Sequence, residues 1–126
     1  MTRLRGLTAL VVDDSAAARR RIAVALESLG LETVEADDGA AAWRYLQGAP
    51  ADIILTDINM PVVDGLKLIA LVRGAGPHRR TPIVVITTES GEEDRRRASG
   101  LGATAYLVKP AQDGEVVQVV RALLGA

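Results

Sequence analysis

Four segments of the chain end in side chains that could share one chemistry. Asp13 and Asp14 close the apolar run Leu7–Val12, and Asp57 closes Ile53–Thr56. Thr87 is the last residue of Ile83–Thr87, and Lys109 follows Ala105–Val108. Brought together, these are three carboxylates, a hydroxyl and an ammonium. Three crowded carboxylates repel one another and tend to hold protons. A hard divalent cation removes that conflict, and Mg²⁺ suits a few carboxylate oxygens completed by water and phosphate oxygens. The absence of histidine and cysteine among the candidates disfavours zinc and copper. Lys109 would bring positive charge to an incoming phosphoryl group, and the Thr87 hydroxyl would donate a hydrogen bond to it. A carboxylate can act as nucleophile and form an acyl phosphate. Phosphoryl transfer asks mainly for positioning and charge neutralisation, which this set can supply.

Such a set needs a scaffold that delivers four strand ends to one rim. The apolar runs are short, β-branched and nearly continuous, as in strands buried on both faces of a parallel sheet. A weaker run, Thr33–Ala36, is interrupted by Glu35 and reads as an edge strand. Segments of helical period lie between. Ala18, Ile22, Leu26 and Leu29 form one stripe, stopped by Gly30. Ala40 to Leu46 forms a second helix, closing near Gly48 and Pro50, and Leu68, Ile69 and Val72 face a third, ending near Gly74. Ser90 and Glu93 have capping-box spacing and predict the start of a fourth. Val116, Val119, Val120 and Leu123 form the buried face of a fifth. Five βα units imply an α/β fold, a five-stranded parallel sheet with helices on both faces. By analogy the strand order is 2-1-3-4-5, the flavodoxin-like three-layer sandwich, in which ligands sit at the carboxyl ends of the strands.

The bulk properties exclude other classes. At 126 residues the chain reads as one domain, 1–126. Residues are 48% hydrophobic without an unbroken membrane-length run, so no membrane insertion is expected. The start, Met-Thr-Arg-Leu-Arg, does not read as a signal peptide, and a cytoplasmic location is expected. With no cysteine, disulfides are unavailable. A formal charge of −1 and only three aromatics, Trp43, Tyr45 and Tyr106, argue against direct nucleic-acid binding.

Val-Val-Asp-Asp-Ser at 11–15, Thr-Asp-Ile-Asn-Met-Pro at 56–61 with Asp64-Gly65, Ile-Thr-Thr-Glu at 86–89 and Tyr-Leu-Val-Lys-Pro at 106–110 together resemble the receiver domains of response regulators. Any one piece is weak; all four in order, over essentially the whole chain, are specific. The resemblance implies roles. Asp57 would be the phosphoacceptor. Asp14 would bind Mg²⁺ directly, with Asp13 supporting the metal largely through water and the Asn59 backbone carbonyl as a further ligand. Thr87 and Lys109 would bind phosphoryl oxygens, and Tyr106 would move inward when Thr87 is drawn to them. Asn59 and Glu89 would tune dephosphorylation. The Lys109–Pro110 peptide would be cis.

The same resemblance implies a single-domain response regulator of chemotaxis type, no enzyme beyond its own phosphorylation and dephosphorylation. Its phosphodonor would be a histidine kinase. With no effector module expected after the last helix, output would run through protein contact at the fourth helix, fifth strand and fifth helix, roughly Ser90–Gly100 and Tyr106–Leu124, as in chemotaxis regulators. Two alternatives stand beside this reading. One is a phosphorelay shuttle to a histidine phosphotransfer protein. The other is a Mg²⁺-dependent phosphatase with an aspartyl nucleophile, disfavoured by Asn59 where such enzymes carry a second Asp.

Blander readings apply to single residues. Asp13-Asp14 alone could cap a helix, and Asp57 alone could be a turn residue. Tyr106 could simply be packed, as could Trp43, and Arg95-Arg96-Arg97 could be a solvated helix face rather than a docking patch. Lys67 and His78 are assigned no role; His78 reads as part of an exposed loop. Thr88 and Ala111 depart from the family pattern, where a smaller residue and Phe are usual. A branched Thr88 would restrict the path of Tyr106, and Ala111 would weaken local packing.

Overall fold

The alternation of apolar runs and helical stripes folds as five successive β–α units. The computed structural model describes residues 4–60, 62–74 and 76–125. Pro61 of the second motif and the Met-Thr-Arg start lie outside the described residues. The elements are β1 (Thr8–Val12), α1 (Ala16–Glu27), β2 (Glu32–Ala36), α2 (Gly39–Gly48), β3 (Ile53–Thr56), α3 (Gly65–Gly74), β4 (Ile83–Thr87), α4 (Glu92–Leu101), β5 (Ala105–Val108) and α5 (Asp113–Leu124). The strands form one sheet in the order β2-β1-β3-β4-β5, and every pairing is parallel. This is the expected flavodoxin-like order.

Period-2 alternation sends successive side chains to opposite faces of the sheet. Leu10, Val12, Ile54 and Val85 pack with Leu46, Leu68, Ile69, Val72 and Ala98 beneath α2, α3 and α4. Ala9, Val11, Ile53, Leu55, Val84 and Ile86 pack with Leu26, Val116 and Val120 beneath α1 and α5. Each fully buried Leu, Ile or Val contributes about 1.5–3 kcal/mol. By that measure α4 is the least anchored helix, since Ala98 is its one buried residue among those described.

Register carries the chemistry to one rim. Val12 lies beside Ala36 on one side and Thr56 on the other, so Asp13 and Asp57 leave the sheet together. Three of the helices that start at this rim, α1, α2 and α3, are capped by side chains. Ser15 Oγ accepts from Ala18 N, Asp38 Oδ1 from Ala41 N at 2.7 Å, and Asp64 Oδ1 from Lys67 N at 2.8 Å. Each oxygen satisfies an amide that the first helical turn leaves unpaired.

Three expectations need correction. The Ser90–Glu93 capping box does not form: α4 begins at Glu92, Gly91 is its N-cap, and no side chain caps it. The first helix stops at Glu27, before Leu29 and Gly30, because Ser28 already closes its last turn. His78 is not exposed. It is 8% accessible, and its Nε2 accepts a hydrogen bond from Ala51 N at 3.2 Å. Thr88 lines, with Ile22, Ala25, Pro110, Ala111 and Val116, a cavity of about 370 Å³ on the α1–α5 side, whereas Tyr106 packs with the cluster on the opposite side. The small side chain of Ala111 borders that cavity, in keeping with the looser packing expected there.

Candidate functional site

The centre of the rim is an ammonium held between two carboxylates. Lys109 Nζ donates to Asp13 Oδ2 at 2.7 Å and to Asp57 Oδ2 at 2.8 Å. The side chains of Lys109, Asp13 and Asp57 are 19%, 2% and 10% accessible. Burial pulls the lysine down, but its bonds to Asp13 and Asp57 outweigh that effect and hold the ammonium above the ordinary lysine value. Lys109 reaches this point because its own amide donates to Thr87 O at 2.7 Å, which fixes the exit of β5 beside the end of β4. The Lys109–Pro110 peptide that follows is cis, as expected.

Backbone amides orient the acids. Asp57 Oδ1 accepts from Ile58 N at 2.6 Å and from Asn59 N at 3.3 Å. Asp13 Oδ1 accepts from Ser15 N at 2.9 Å. One oxygen of each carboxylate is thus committed to the main chain and the other to Lys109. Gly65 closes the loop after β3. Its amide donates to Ile58 O at 2.8 Å, and a Cβ at this position would sit 2.0 Å from the Asp57 carbonyl oxygen. The close approach of α3 to the end of β3 therefore requires glycine.

The remaining candidates surround this core. Asp14 is exposed and makes no hydrogen bond or ion pair with the described residues. Thr87 is fully buried, and its Oγ1 accepts from Glu89 N at 3.3 Å. Asn59 Nδ2 donates to Glu89 Oε1 at 2.7 Å, which joins the loops after β3 and β4 above the rim. The Tyr106 hydroxyl donates to Glu89 O at 2.6 Å, and the Arg95 guanidinium lies 4.7 Å from the centre of the Tyr106 ring. Burial, with the nearby Asp94 carboxylate, pushes the phenol up, so it stays a donor at neutral pH. Lys67 and Trp43 lie outside this group; Trp43 packs against the core under α2.

The donors suit a hard cation. Asp13, Asp14, Asp57 and Lys109 carry a net charge of about −2, and every anionic donor is oxygen. Among the described residues, no three acidic, histidine or cysteine side chains converge into a ready-made cage. The reason is visible: Lys109 occupies the gap between Asp13 and Asp57, and Asp14 faces outward. Two carboxylates and a carbonyl, completed by water, still meet the ordinary needs of Mg²⁺.

Two further contacts around the site were not anticipated from residue pattern. Arg19 Nη1 donates to the Asp13 backbone oxygen at 2.7 Å, and Arg95 covers Tyr106. Arg19 binds a main-chain atom, which leaves no trace in residue pattern. The Arg95–Tyr106 contact joins α4 to β5 and depends on tertiary packing.

Comparison with known proteins now gives this arrangement a family. The response regulator receiver domain matches residues 9–121. The chain is 39% identical over 118 residues to chemotaxis protein CheY1 of Helicobacter pylori, covering 92% of this chain and 95% of that protein. Its fold matches chemotaxis protein CheY4 of Vibrio cholerae with a TM-score of 0.88 at 33% identity, covering 93% and 98% of the two chains. It also matches the receiver domain of sensor histidine kinase PA1611 of Pseudomonas aeruginosa, with magnesium coordinated in its active site cleft. That TM-score is 0.88 at 30% identity, covering 96% of this chain and 99% of that one. With its rim of Asp13, Asp57 and Lys109 on a 2-1-3-4-5 sheet, the chain belongs to the response regulator receiver domain family of two-component signalling.

Proposed function

We propose that Asp57 accepts a phosphoryl group from a histidine kinase and that the phosphorylated chain signals by contact with another protein, in the manner of chemotaxis regulators. The observation that carries this reading is the Lys109 ammonium bonded to both Asp13 and Asp57. It places a cation beside the carboxylate that would gain charge. In the transfer, an Asp57 carboxylate oxygen forms a bond to phosphorus as the bond from phosphorus to the donor imidazole nitrogen breaks. That nitrogen keeps the electron pair. Mg²⁺, when bound, would neutralise charge on the phosphoryl oxygens, and Asp13, Asp14, Asp57 and the Asn59 carbonyl would hold it. Lys109 and the Thr87 hydroxyl would take the other phosphoryl oxygens. Phosphorylation adds a charge of about −1.5 to −2. Thr87 drawn toward that charge would release Glu89 N, and Glu89 also carries the carbonyl that holds Tyr106. These links support a route from the acceptor to the α4–β5–α5 face.

Beryllofluoride with Mg²⁺, a mimic of the phosphoryl group, tests the reading by NMR on wild type and Asp57→Asn. Wild type should shift at Thr87, Glu89 and Tyr106, and Asp57→Asn should not. A wild type that fails to respond would sink the proposal.

A further inference from the structure

The corner between β1 and α1 is held from outside the site by a single arginine. Arg19 Nη1 donates to the Asp13 backbone oxygen at 2.7 Å, and Arg19 Nε donates to Glu35 Oε1 at 3.0 Å on β2. Its side chain is 18% accessible. Glu35 is itself held by Arg20 and kept charged by these arginines, which outweigh its burial and lower its pKa. The guanidinium therefore has a fixed seat on the edge strand and reaches inward with its second nitrogen.

The carbonyl it holds belongs to the peptide joining Asp13 to Asp14. The other polar groups of Asp13 are already tied. Its amide donates to Ala36 O at 3.1 Å, Oδ1 accepts from Ser15 N and Oδ2 from Lys109. Asp14 has no side-chain partner among the described residues, so its direction depends on that peptide plane. We infer that Arg19 is a positioning residue for the cation site: by fixing the Asp13–Asp14 peptide it aims both carboxylates. This inference rests on the proposed role of Asp13 and Asp14 as metal-binding groups. Groups that orient metal ligands from behind commonly change affinity about 10–100-fold when removed.

Charge and geometry predict opposite results. A guanidinium near the site repels a cation, so a purely electrostatic role predicts that removing it strengthens Mg²⁺ binding. A positioning role predicts weaker binding. Mg²⁺ titration followed by the amide signals of Asp13, Asp14 and Asp57, with no phosphodonor present, separates them. Arg19→Ala should weaken Mg²⁺ binding about tenfold. Arg19→Lys, which keeps the charge but loses the planar fork needed to span Glu35 and Asp13, should also weaken it severalfold. Arg20→Ala, which removes two ion pairs but leaves the Asp13 contact, should stay within about twofold of wild type. Unchanged or tighter binding by Arg19→Ala, wild-type binding by Arg19→Lys, or an equal loss in Arg20→Ala overturns the inference. Asp13→Asn serves as the separate control. If it binds Mg²⁺ as wild type does, the reading of the site itself fails, whatever Arg19 does.

Discussion

Replacing Lys109 by Met removes the ammonium and leaves Asp13 and Asp57 facing each other across a buried gap. Lys109 makes two charge-assisted bonds, to partners that are 2% and 10% accessible. Breaking a buried ion pair by deleting one partner costs about 3–5 kcal/mol. Lys109 is itself partly accessible, so the loss at neutral pH should be roughly 2–3 kcal/mol. The pH dependence has a definite sign. The lysine is held above its ordinary value, so its contribution is complete below that value and disappears as pH rises through the folded one. Mg²⁺ should also narrow the difference, because a divalent cation substitutes for the missing charge. Urea unfolding of both proteins at several pH values, with and without Mg²⁺, measures this. A difference that stays constant as pH rises through the range where Lys109 loses its proton, and that is unaffected by Mg²⁺, would refute the electrostatic reasoning, since loss of packing alone has neither dependence.

Other substitutions test the frame around this centre. Gly65→Ala should cost at least about 3 kcal/mol in unfolding free energy, because the new Cβ meets backbone that cannot turn aside; a variant as stable as wild type would refute the close approach. His78→Phe should cost about 1–3 kcal/mol by leaving the Ala51 amide without its acceptor, whereas the same change at exposed Arg79 should stay within about 0.5 kcal/mol. Asn59→Met and Glu89→Leu each break the hydrogen bond between the two loops and remove a polar group that could help orient the attacking water. Both phosphorylated variants should lose the phosphoryl group several times more slowly than wild type, as followed by radiolabel decay; equal or faster decay would count against this tuning role.

The fold was legible because each inner strand is short, apolar and buried along its length. Ile53–Thr56 and Ile83–Thr87 match their sequence boundaries for that reason. Glu35 marked β2 as the edge, where it is bonded by Arg19 and Arg20. Pattern failed where the deciding partner was a main-chain atom. Gly-Ala-Gly-Pro around His78 looks like exposed loop, yet one backbone amide draws the imidazole inside. Ser90 and Glu93 have capping-box spacing, but the helix starts one residue too late for Ser90 to serve as its cap. At the rim Asp13, Asp57 and Lys109 do meet, but not in the grouping the sequence suggested. It suggested three clustered carboxylates, whereas the ammonium sits between two and the third faces outward. Side-chain identity predicts which charges share a site; the strand exits decide which of them touch.

The most direct measurement is the intact mass of the protein after incubation with a small-molecule phosphodonor and Mg²⁺. The account predicts one added phosphoryl group, mapped to Asp57 and absent from Asp57→Asn. Modification that persists in Asp57→Asn, or a wild type that stays unmodified while its beryllofluoride response is also absent, would contradict it.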